Sequence, residues 1–302
     1  MIYNKEKIEK IHNKYVNDEK IKRTEKIYYN NIIGLRTSNI VYDYNHEELI
    51  EYAKCFSDEI YFIENYFHIK LHSYQIKIIE HYKNNRFSIF MNSRQTGTFS
   101  ILIMLFIHSM IFNQDYSILK IDHKIMENIE HFKKIKKLYI QLPFFLQIGV
   151  TNWNLKDIKL ENKSFFQLQS SKNIGLGYNP SLFIINNFSQ IPDSYIYDIY
   201  NSIIPTISSQ KNNKFIISSR PNGYNFFLNL VENSERSDND PLKNNYNTLR
   251  TYWWQIPGRD EKWKDEVIKK IGYELFLQEY DLSFMTKQNL ERSKKLNKIL
   301  GI

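Results

Sequence analysis

The 302-residue chain has little cysteine, glycine or proline, with one, nine and seven residues of each. The single cysteine, Cys55, excludes a disulfide framework and a zinc site made of several thiolates, and it fits a reducing compartment. We interpret Cys55 as a small buried hydrophobic residue.

Long apolar runs are also missing. The nearest is "ILIMLFIHSMIF" at residues 101–112, which His108 and Ser109 interrupt, whereas a membrane-spanning helix needs about eighteen uninterrupted apolar residues. The start, "MIYNKEKIEK", has no apolar signal-peptide core. The sequence therefore predicts a protein that is neither secreted nor inserted in a membrane.

What the chain does have is an ordinary globular composition, with 42% hydrophobic and 25% charged residues. Its length suits one large α/β domain, or a core with a smaller appendage. Its 41 Lys and Arg exceed its 33 Asp and Glu, and the net charge of +8 favours contact with a polyanion such as DNA or RNA. Near the start acids interleave with bases, which is typical of a solvated helix face.

Four short apolar runs predict the strands of a sheet: "RFSIFMNS", "YSILKID", "SLFIINNFS" and "KFIISSRP". Strands this apolar are buried on both faces, as in a doubly wound α/β fold with a parallel sheet. The pair "DIKLEN" and "SFFQLQ" around Lys163 predicts an inserted β-hairpin.

Other segments predict helices and connections. Residues 1–60 have helical spacing and many charges, with Asn45 as a helix cap. No strand signal follows Gly223; residues 232–247 are polar and turn-rich, as in a linker, and residues 261–284 return to helical spacing.

The stretch "MNSRQTGTFS" at residues 91–100 separates an apolar strand from an apolar helix. Ligands bind beyond the carboxyl ends of parallel strands, and the N–H groups at a helix start attract anions. A phosphate loop of the form G-x-x-x-x-G-K-[ST] would have a lysine after its last glycine. Here Gly97 is followed by Thr98 and Phe99.

Four longer segments resemble the ATPase domain of the large terminase subunit of tailed bacteriophages, the motor that packages viral DNA into capsids. They are "LHSYQIKIIEHYKNNRFSIFMNSRQTGTFS", "SLFIINNFSQIP", "KFIISSRPNGYNFF" and "WWQIPGRDEKWKDEVIKKIGYELFLQEYDLSF". The resemblance spans about residues 40–285 and is most specific from Trp253 to Phe284. It implies a RecA-like P-loop NTPase core with a small helical lid subdomain, and ATP and Mg²⁺ as cofactors.

The resemblance also implies roles for individual residues. It makes Gln75 the reader of adenine and Arg94 the arginine that stabilises the transferred phosphoryl group. The family's phosphate loop, S-R-Q-x-G-K-T, is matched at Ser93, Arg94, Gln95 and Gly97, with Thr96 at the variable position. It is not matched at Thr98 and Phe99.

Two further motifs of the family carry substitutions. The Walker B strand ends there in Asp-Glu, and here in Asn186 and Asn187. The coupling motif, rich in hydroxyl residues, corresponds to Ser218, Ser219, Arg220, Pro221, Asn222 and Gly223, with Arg220 replacing a hydroxyl residue.

These departures predict a disabled phosphate loop. Two unit charges about 4 Å apart attract by roughly 4 kcal/mol at an effective dielectric constant near 20, and Thr98 supplies no charge. Phe99 has no hydroxyl for Mg²⁺, and Ser100 lies one position late, about 100° further round the helix. Asn186 and Asn187 are neutral amides that cannot act as a base. The backbone cradle would still bind phosphate or nucleotide weakly.

Alternatives stay open for several of these residues. Arg94 could instead pair with an acid, Gln75 could cap a helix, and Asn186 and Asn187 could offer amide oxygens to a metal ion. Lys120 or Lys124 could replace the missing cation. We interpret His108 and His123 as core or loop histidines.

We expect an N-terminal helical segment of the lid at 1–60, an ATPase-like core at 61–235, and a linker with the rest of the lid at 236–302. The nuclease domain that follows in the family is expected to be absent. The basic tail "KQNLERSKKLNKILGI" is either a DNA contact or a solvated helix.

Three functions are compatible with the sequence. The first is a packaging pseudoenzyme that contacts DNA or assists virion assembly, and the second is an active split-gene motor subunit with substituted catalytic residues. The third is a non-enzymatic interaction scaffold. Expected partners are double-stranded DNA and an active terminase subunit, the portal or the small terminase, in a ring of like or unlike subunits. The expected location is the cytoplasm of an infected host cell.

Overall fold

The computed structural model describes residues 34–39, 41–122, 125–170, 179–208 and 211–285. It contains one eight-stranded, mostly parallel sheet together with α-helices, so the predicted α/β class is confirmed. The predictions for residues 1–33, for His123 and Lys124, and for the basic tail lie outside the described residues.

Within the described ranges, three helices precede the first strand, four strands follow one another in the middle of the chain, and two helices come last. The helices are α1 (His46–Ser57), α2 (Glu59–Tyr66), α3 (Ser73–Asn84), α4 (Thr98–Phe112), α5 (Ile125–Gln141), α6 (Asp193–Ser208), α7 (Phe226–Ser234), α8 (Glu261–Ile271) and α9 (Tyr273–Glu279). The strands are β1 (Phe87–Asn92), β2 (Ser117–Asp122), β3 (Val150–Trp153), β4 (Asp157–Leu160), β5 (Phe165–Ser170), β6 (Leu182–Asn186), β7 (Lys214–Ser219) and β8 (Asn247–Thr251). Short 3₁₀ turns occupy Phe188–Gln190 and Trp253–Gln255.

The described chain divides into two compact units. The first takes the described residues up to Leu71, then Leu102–Lys120, and those from α5 to Gln169. The second takes His72–Ile101, Ile121 with Asp122, and the described residues beyond Ser170.

In the first unit, β3, β4 and β5 pair antiparallel. The predicted hairpin around Lys163 is therefore confirmed as β4 and β5, and Lys163 itself turns with a φ of 65°. Cys55 is buried, and burial raises the pKa of its thiol to about 12. His108 is also buried, with Nε2 2.8 Å from the carbonyl oxygen of Cys55. Both residues have the core positions predicted for them.

In the second unit, β6, β7, β1 and β8 pair in that order, and every pairing is parallel. Ile217 of β7 lies opposite both Ile89 and Ile185, and these side chains are fully buried. Because the carboxyl ends of parallel strands meet at one edge of a sheet, the residues that follow β1, β6 and β7 are brought to the same edge.

The four predicted apolar strands are confirmed as β1, β2, β6 and β7. The prediction that no strand follows Gly223 is wrong, because β8 pairs with β1. Its sequence, "NTLRT", is mostly polar and half-exposed at the end of the parallel series, so it lacks the apolar signal of a strand buried on both faces. β3 is also missed, since its four residues are too few to show a period.

The N-terminal cap of helix α1 is the one that the sequence predicts. Asn45 caps α1 in a reciprocal pair with Glu48, as expected. The predicted helix at 261–284 is two helices, because Gly272 has a φ of 84°, a conformation that glycine adopts without steric cost.

In the described part of the chain, no helix is both long and apolar enough to cross a membrane.

Candidate phosphate loop and its surroundings

The loop between β1 and α4 has the backbone of an anion cradle. Gln95 and Gly97 both have left-handed φ angles, 60° and 73°, which only glycine adopts freely. Within the described ranges, no hydrogen-bond acceptor is placed for the N–H groups of Gln95, Thr96 and Gly97, and the buried Oγ of Ser93 has no partner. Successive N–H groups of this kind at a helix start bind anions.

The loop is fixed at its base by main-chain hydrogen bonds. The Ser93 N–H donates to the carbonyl of Thr251, at the end of β8, over 2.8 Å. The Arg94 N–H donates to the carbonyl of Glu279, at the end of α9, over 3.0 Å. The loop is therefore held by β8 and α9, two elements that follow it by more than 150 residues.

Helix α3 contacts the other end of the loop. The buried Tyr74 donates its hydroxyl to the Thr96 carbonyl over 2.9 Å, and burial raises the pKa of that phenol. Gln75 accepts from the His72 N–H over 3.0 Å in a capping box, so the helix-cap alternative is realised. The Gln75 amide nitrogen also lies beside Gly97, 3.6 Å from where a Cβ would be. Its role toward adenine stays a prediction.

Two arginines at the loop pair with one carboxylate, and a third arginine bonds to the loop itself. Arg94 Nε and Arg220 Nε lie 2.7 and 3.1 Å from the same oxygen of Glu279. Arg259 donates to the Arg94 carbonyl at 2.9 Å and to the Gln95 side chain at 3.3 Å. Arg94 is therefore paired with an acid, the alternative that the sequence left open, although 53% of its side chain is exposed. Glu279 thus offers one carboxylate to two guanidinium groups.

Thr98, where the resemblance implies a lysine, is part of a neutral network. Its side chain is 2% exposed, and Oγ1 donates to Asn92 Oδ1 over 3.0 Å. Oγ1 also lies 2.9 Å from Thr96 Oγ1. The expected cation is thus replaced by a hydroxyl whose hydrogen bonds are internal, and Phe99, the next residue, brings no hydroxyl at all.

Asn186, which ends β6, and Asn187, which follows it, contact an aspartate on β2. Asn186 Nδ2 donates to Asp122 Oδ2 over 3.1 Å, and Asn187 Nδ2 donates to Asp122 Oδ1 over 3.2 Å. Asp122 is 1% exposed and Asn186 7%. Asn187 has a left-handed φ of 53° at the start of a 3₁₀ turn, a conformation that asparagine tolerates better than most residues.

Three residues of the predicted coupling motif, Ser219, Arg220 and Asn222, form a dense hydrogen-bond network with Ser189. Ser219 Oγ accepts from the Ser189 N–H at 3.0 Å and donates to Ser189 Oγ at 2.9 Å. Ser189 Oγ donates to the Arg220 carbonyl, and the side chains of Asn222 and Asn225 both donate to the Ser189 carbonyl at 3.0 Å. Both serines are 5% exposed. This network joins the turn after β6 to the turn after β7.

The predicted coupling motif also includes Ser218, Pro221 and Gly223. Ser218 lies in register with Asn186 on one side and Phe90 on the other. Pro221 is buried, and Gly223 has a φ of 73°. A cavity of about 570 Å³ opens here between residues 189–193 and 222–225.

Sequence reasoning missed five residues of the site: Tyr74, Asn92, Asp122, Arg259 and Glu279. Asn92 and Asp122 carried a usable signal, because each is a polar residue that ends an apolar strand. The other three approach the loop from helix α3 and from the segment after β8, and their spacing along the chain does not reveal this.

The residues present do not fit a magnesium ion held as in a P-loop enzyme. Position 99 offers no hydroxyl oxygen, and positions 186 and 187 present amide N–H groups to Asp122 instead of carboxylates. In the described residues, no group of three or more His, Cys, Asp or Glu side chains could hold a metal ion.

Comparison with solved structures identifies the fold. The ATPase domain of the large terminase of Thermus phage P74-26 matches with a TM-score of 0.57 and 17% identity, over 74% of this chain and 97% of that domain. The fold is that of a large-terminase ATPase domain. The HK97 bacteriophage large terminase matches with a TM-score of 0.55 and 15% identity. No protein-family model matches the chain.

The shares covered differ among these terminases. The HK97 match covers 80% of this chain and 52% of that protein. The large terminase of a thermophilic bacteriophage, solved in complex with ATP-gamma-S, matches with a TM-score of 0.54 and 12% identity, over 72% of this chain and 53% of that protein. This chain thus spans about half the length of these two terminases.

Proposed function

We propose that this chain is a terminase-type pseudoenzyme of viral DNA packaging. It would bind phosphate or nucleotide weakly, hydrolyse no ATP, and contact double-stranded DNA or assist assembly beside an active packaging subunit. The observation that carries this proposal is the network of Thr98 and Asn92, which fills the place of the lysine with a neutral, buried hydrogen bond.

The electrostatics of the loop support weak anion binding. In the part of the chain that the structure describes, three N–H groups and the Ser93 hydroxyl have no protein partner. Arg94 and Arg220 pair with Glu279, and Arg259 donates to the Arg94 carbonyl. An anion would compete with Glu279 for Arg94. Because the Arg94–Glu279 pair is largely exposed on the arginine side, we expect that competition to cost little.

A second candidate function is hydrolysis by substituted residues. One observation favours it: Asp122 puts a buried carboxylate within hydrogen-bond distance of both former acid positions. This candidate requires turnover by the unmodified chain.

The experiment is ATP binding and turnover by the purified chain with Mg²⁺, with and without double-stranded DNA. We expect weak saturable binding and no turnover above the background of a chain carrying Arg94→Ala. Turnover by the natural chain that Arg94→Ala abolishes would overturn the pseudoenzyme proposal and establish the second candidate.

Binding to DNA is measured separately from the chemistry. We expect salt-dependent retention of double-stranded DNA, because the chain has a net charge of +8 and phosphate contacts release counterions. A chain that binds neither DNA nor packaging proteins would instead support the scaffold function.

A further inference from the structure

Asp122 is a buried carboxylate that no motif of the resemblance assigns. It ends β2 and contacts two asparagines, Asn186 and Asn187, that follow one another at the end of β6. Each carboxylate oxygen accepts one amide N–H, at 3.1 and 3.2 Å. The three side chains together therefore carry a single negative charge.

The chemistry of these groups fixes their orientation. A carboxylate can only accept hydrogen bonds, and in an asparagine amide only the NH₂ group can donate. Both NH₂ groups must then face Asp122, and both amide oxygens must face away from it. Hydrogen bonds to a buried charged group are stronger than neutral ones, so Asp122 holds both amides in this orientation.

We propose that Asp122, at the end of β2, supplies the carboxylate that the resemblance implies at the end of β6, and that it positions the amides of Asn186 and Asn187. A carboxylate at position 186 or 187 would be incompatible with Asp122. The proposal rests on the proposed function, because it takes this strand edge as the counterpart of the terminase acid pair. Its consequence is that restoring Asp and Glu at 186 and 187 would crowd three carboxylates into one buried cluster.

Like charges at hydrogen-bond distance cannot all ionise without a large penalty. Asn186→Asp would put a carboxylate where an N–H now donates to Asp122, only 3.1 Å away. Adding Asp122→Asn reverses the pair, so that an amide on β2 donates to a carboxylate on β6. The swapped pair has the same atoms, the same total charge and the same hydrogen bond as the natural one.

The first test is a thermal-unfolding cycle of Asp122→Asn, Asn186→Asp and the double variant. We expect each single variant to lower Tm by roughly 4 °C or more and the double variant to recover most of that loss. Additive losses would overturn the proposal. If Asn186→Asp does not fold, Asn187→Asp replaces it, because its amide contacts the other oxygen of Asp122 at 3.2 Å.

A matched control separates this coupling from the general cost of burying an aspartate. Asn213 is 4% exposed and donates to Asn179, which is not an acid, over 2.7 Å. Asn213→Asp should lower Tm as well, but Asp122→Asn should not restore it. Recovery of Asn213→Asp by Asp122→Asn would contradict a specific pairing.

The second test measures Mn²⁺ binding in the presence of ATP by electron paramagnetic resonance. It compares the chain carrying Thr98→Lys, Phe99→Thr, Asn186→Asp and Asn187→Glu with the chain that adds Asp122→Asn. We expect at least tenfold tighter Mn²⁺ binding in the fivefold variant, and equal binding in both would overturn the proposal. A merely structural Asp122 would shift Tm without this gain.

Failure of this inference and failure of the proposed function give different results. ATP turnover by the natural chain would disprove the pseudoenzyme proposal, yet the thermal cycle would still show whether Asp122 and Asn186 are coupled. Additivity in that cycle would disprove the role of Asp122 and leave the absence of turnover unaffected.

Discussion

The loop after β1 and the turn after β7 leave the same edge of the sheet from neighbouring strands, yet their side chains differ in character. In the turn, Ser219 and Asn222 make hydrogen bonds to Ser189 in the turn after β6. In the loop, Thr98 donates to Asn92, and among the described residues the N–H groups of Gln95, Thr96 and Gly97 have no protein acceptor. The side chains of the turn are therefore bonded to one another, whereas the loop presents backbone N–H groups and a neutral pair, Thr98 and Asn92, at its end.

This difference separates two parts of a nucleotide site that usually occur together. The cradle depends on backbone conformation, which Gly97 maintains without any charged side chain. Hydrolysis depends on a cation, a hydroxyl and carboxylates at fixed positions. Under the proposed function, the chain keeps the cradle but lacks these groups, because positions 98, 99, 186 and 187 hold Thr, Phe, Asn and Asn.

The largest expected effect comes from Ser219→Val, which breaks the network of the turn. It leaves the buried N–H of Ser189 without an acceptor and takes a donor from Ser189 Oγ, and each unsatisfied buried group costs about 1–3 kcal/mol. We expect urea unfolding to show a loss of about 2–3 kcal/mol. Ser88→Val, equally buried in β1, is the control and should cost less; equal losses would contradict the network.

A smaller loss is expected from Thr98→Val in the loop. Asn92 Oδ1 would lose one donor, so we expect a cost of about 1 kcal/mol by urea unfolding. Thr98→Ser keeps the hydroxyl and should cost less than the valine variant. If Thr98→Val were more destabilising than Ser219→Val, the loop and not the turn would be the more tightly bonded region.

Glu279→Gln tests whether the loop binds anions, because it removes a negative charge beside the loop. It removes the carboxylate that pairs with Arg94 and Arg220 and keeps the shape of the side chain. We expect pyrophosphate to bind roughly threefold to tenfold more tightly in a calorimetric titration, a gain limited by the exposure of Arg94. Glu235→Gln, which removes the partner of Arg250, should change nothing; an equal gain there would mean a general charge effect.

Most of the fold could be predicted from the sequence, because the buried parallel strands are continuous apolar runs. β8 could not, since a short, half-exposed strand such as Asn247–Thr251 is polar and owes its pairing to β1. The helix break at Gly272 was missed for a different reason, because the apolar spacing continues across it.

The candidate site was predictable in part. The position and left-handed backbone of the loop follow from its place after β1 and from Gly97. The partners of its side chains do not follow, because Glu279 and Arg259 come to Arg94 from more than 160 residues away. Asp122 was predictable only in part. The sequence shows that it ends an apolar strand, but its place beside Asn186 depends on the order of the strands in the sheet.

The smallest expected effect is a pH dependence at β8, which holds the loop through Thr251. His81 Nε2 lies 3.1 Å from the Asn247 carbonyl, and burial, with Lys214 adding to it, lowers the pKa of this histidine. The unfolded chain, with a histidine pKa near 6.5, therefore takes up the proton first as the pH falls. Stability is complete above about pH 6.5 and falls as the pH drops toward the lower folded pKa.

The measurement is the free energy of unfolding by urea at pH 7.5 and 5.5, for the natural chain, for His81→Gln and for His46→Gln. His81→Gln should reduce the difference between the two pH values by less than about 1 kcal/mol, whereas the exposed His46 should leave it unchanged. A His81→Gln chain with the full natural pH dependence would place the titrating group elsewhere.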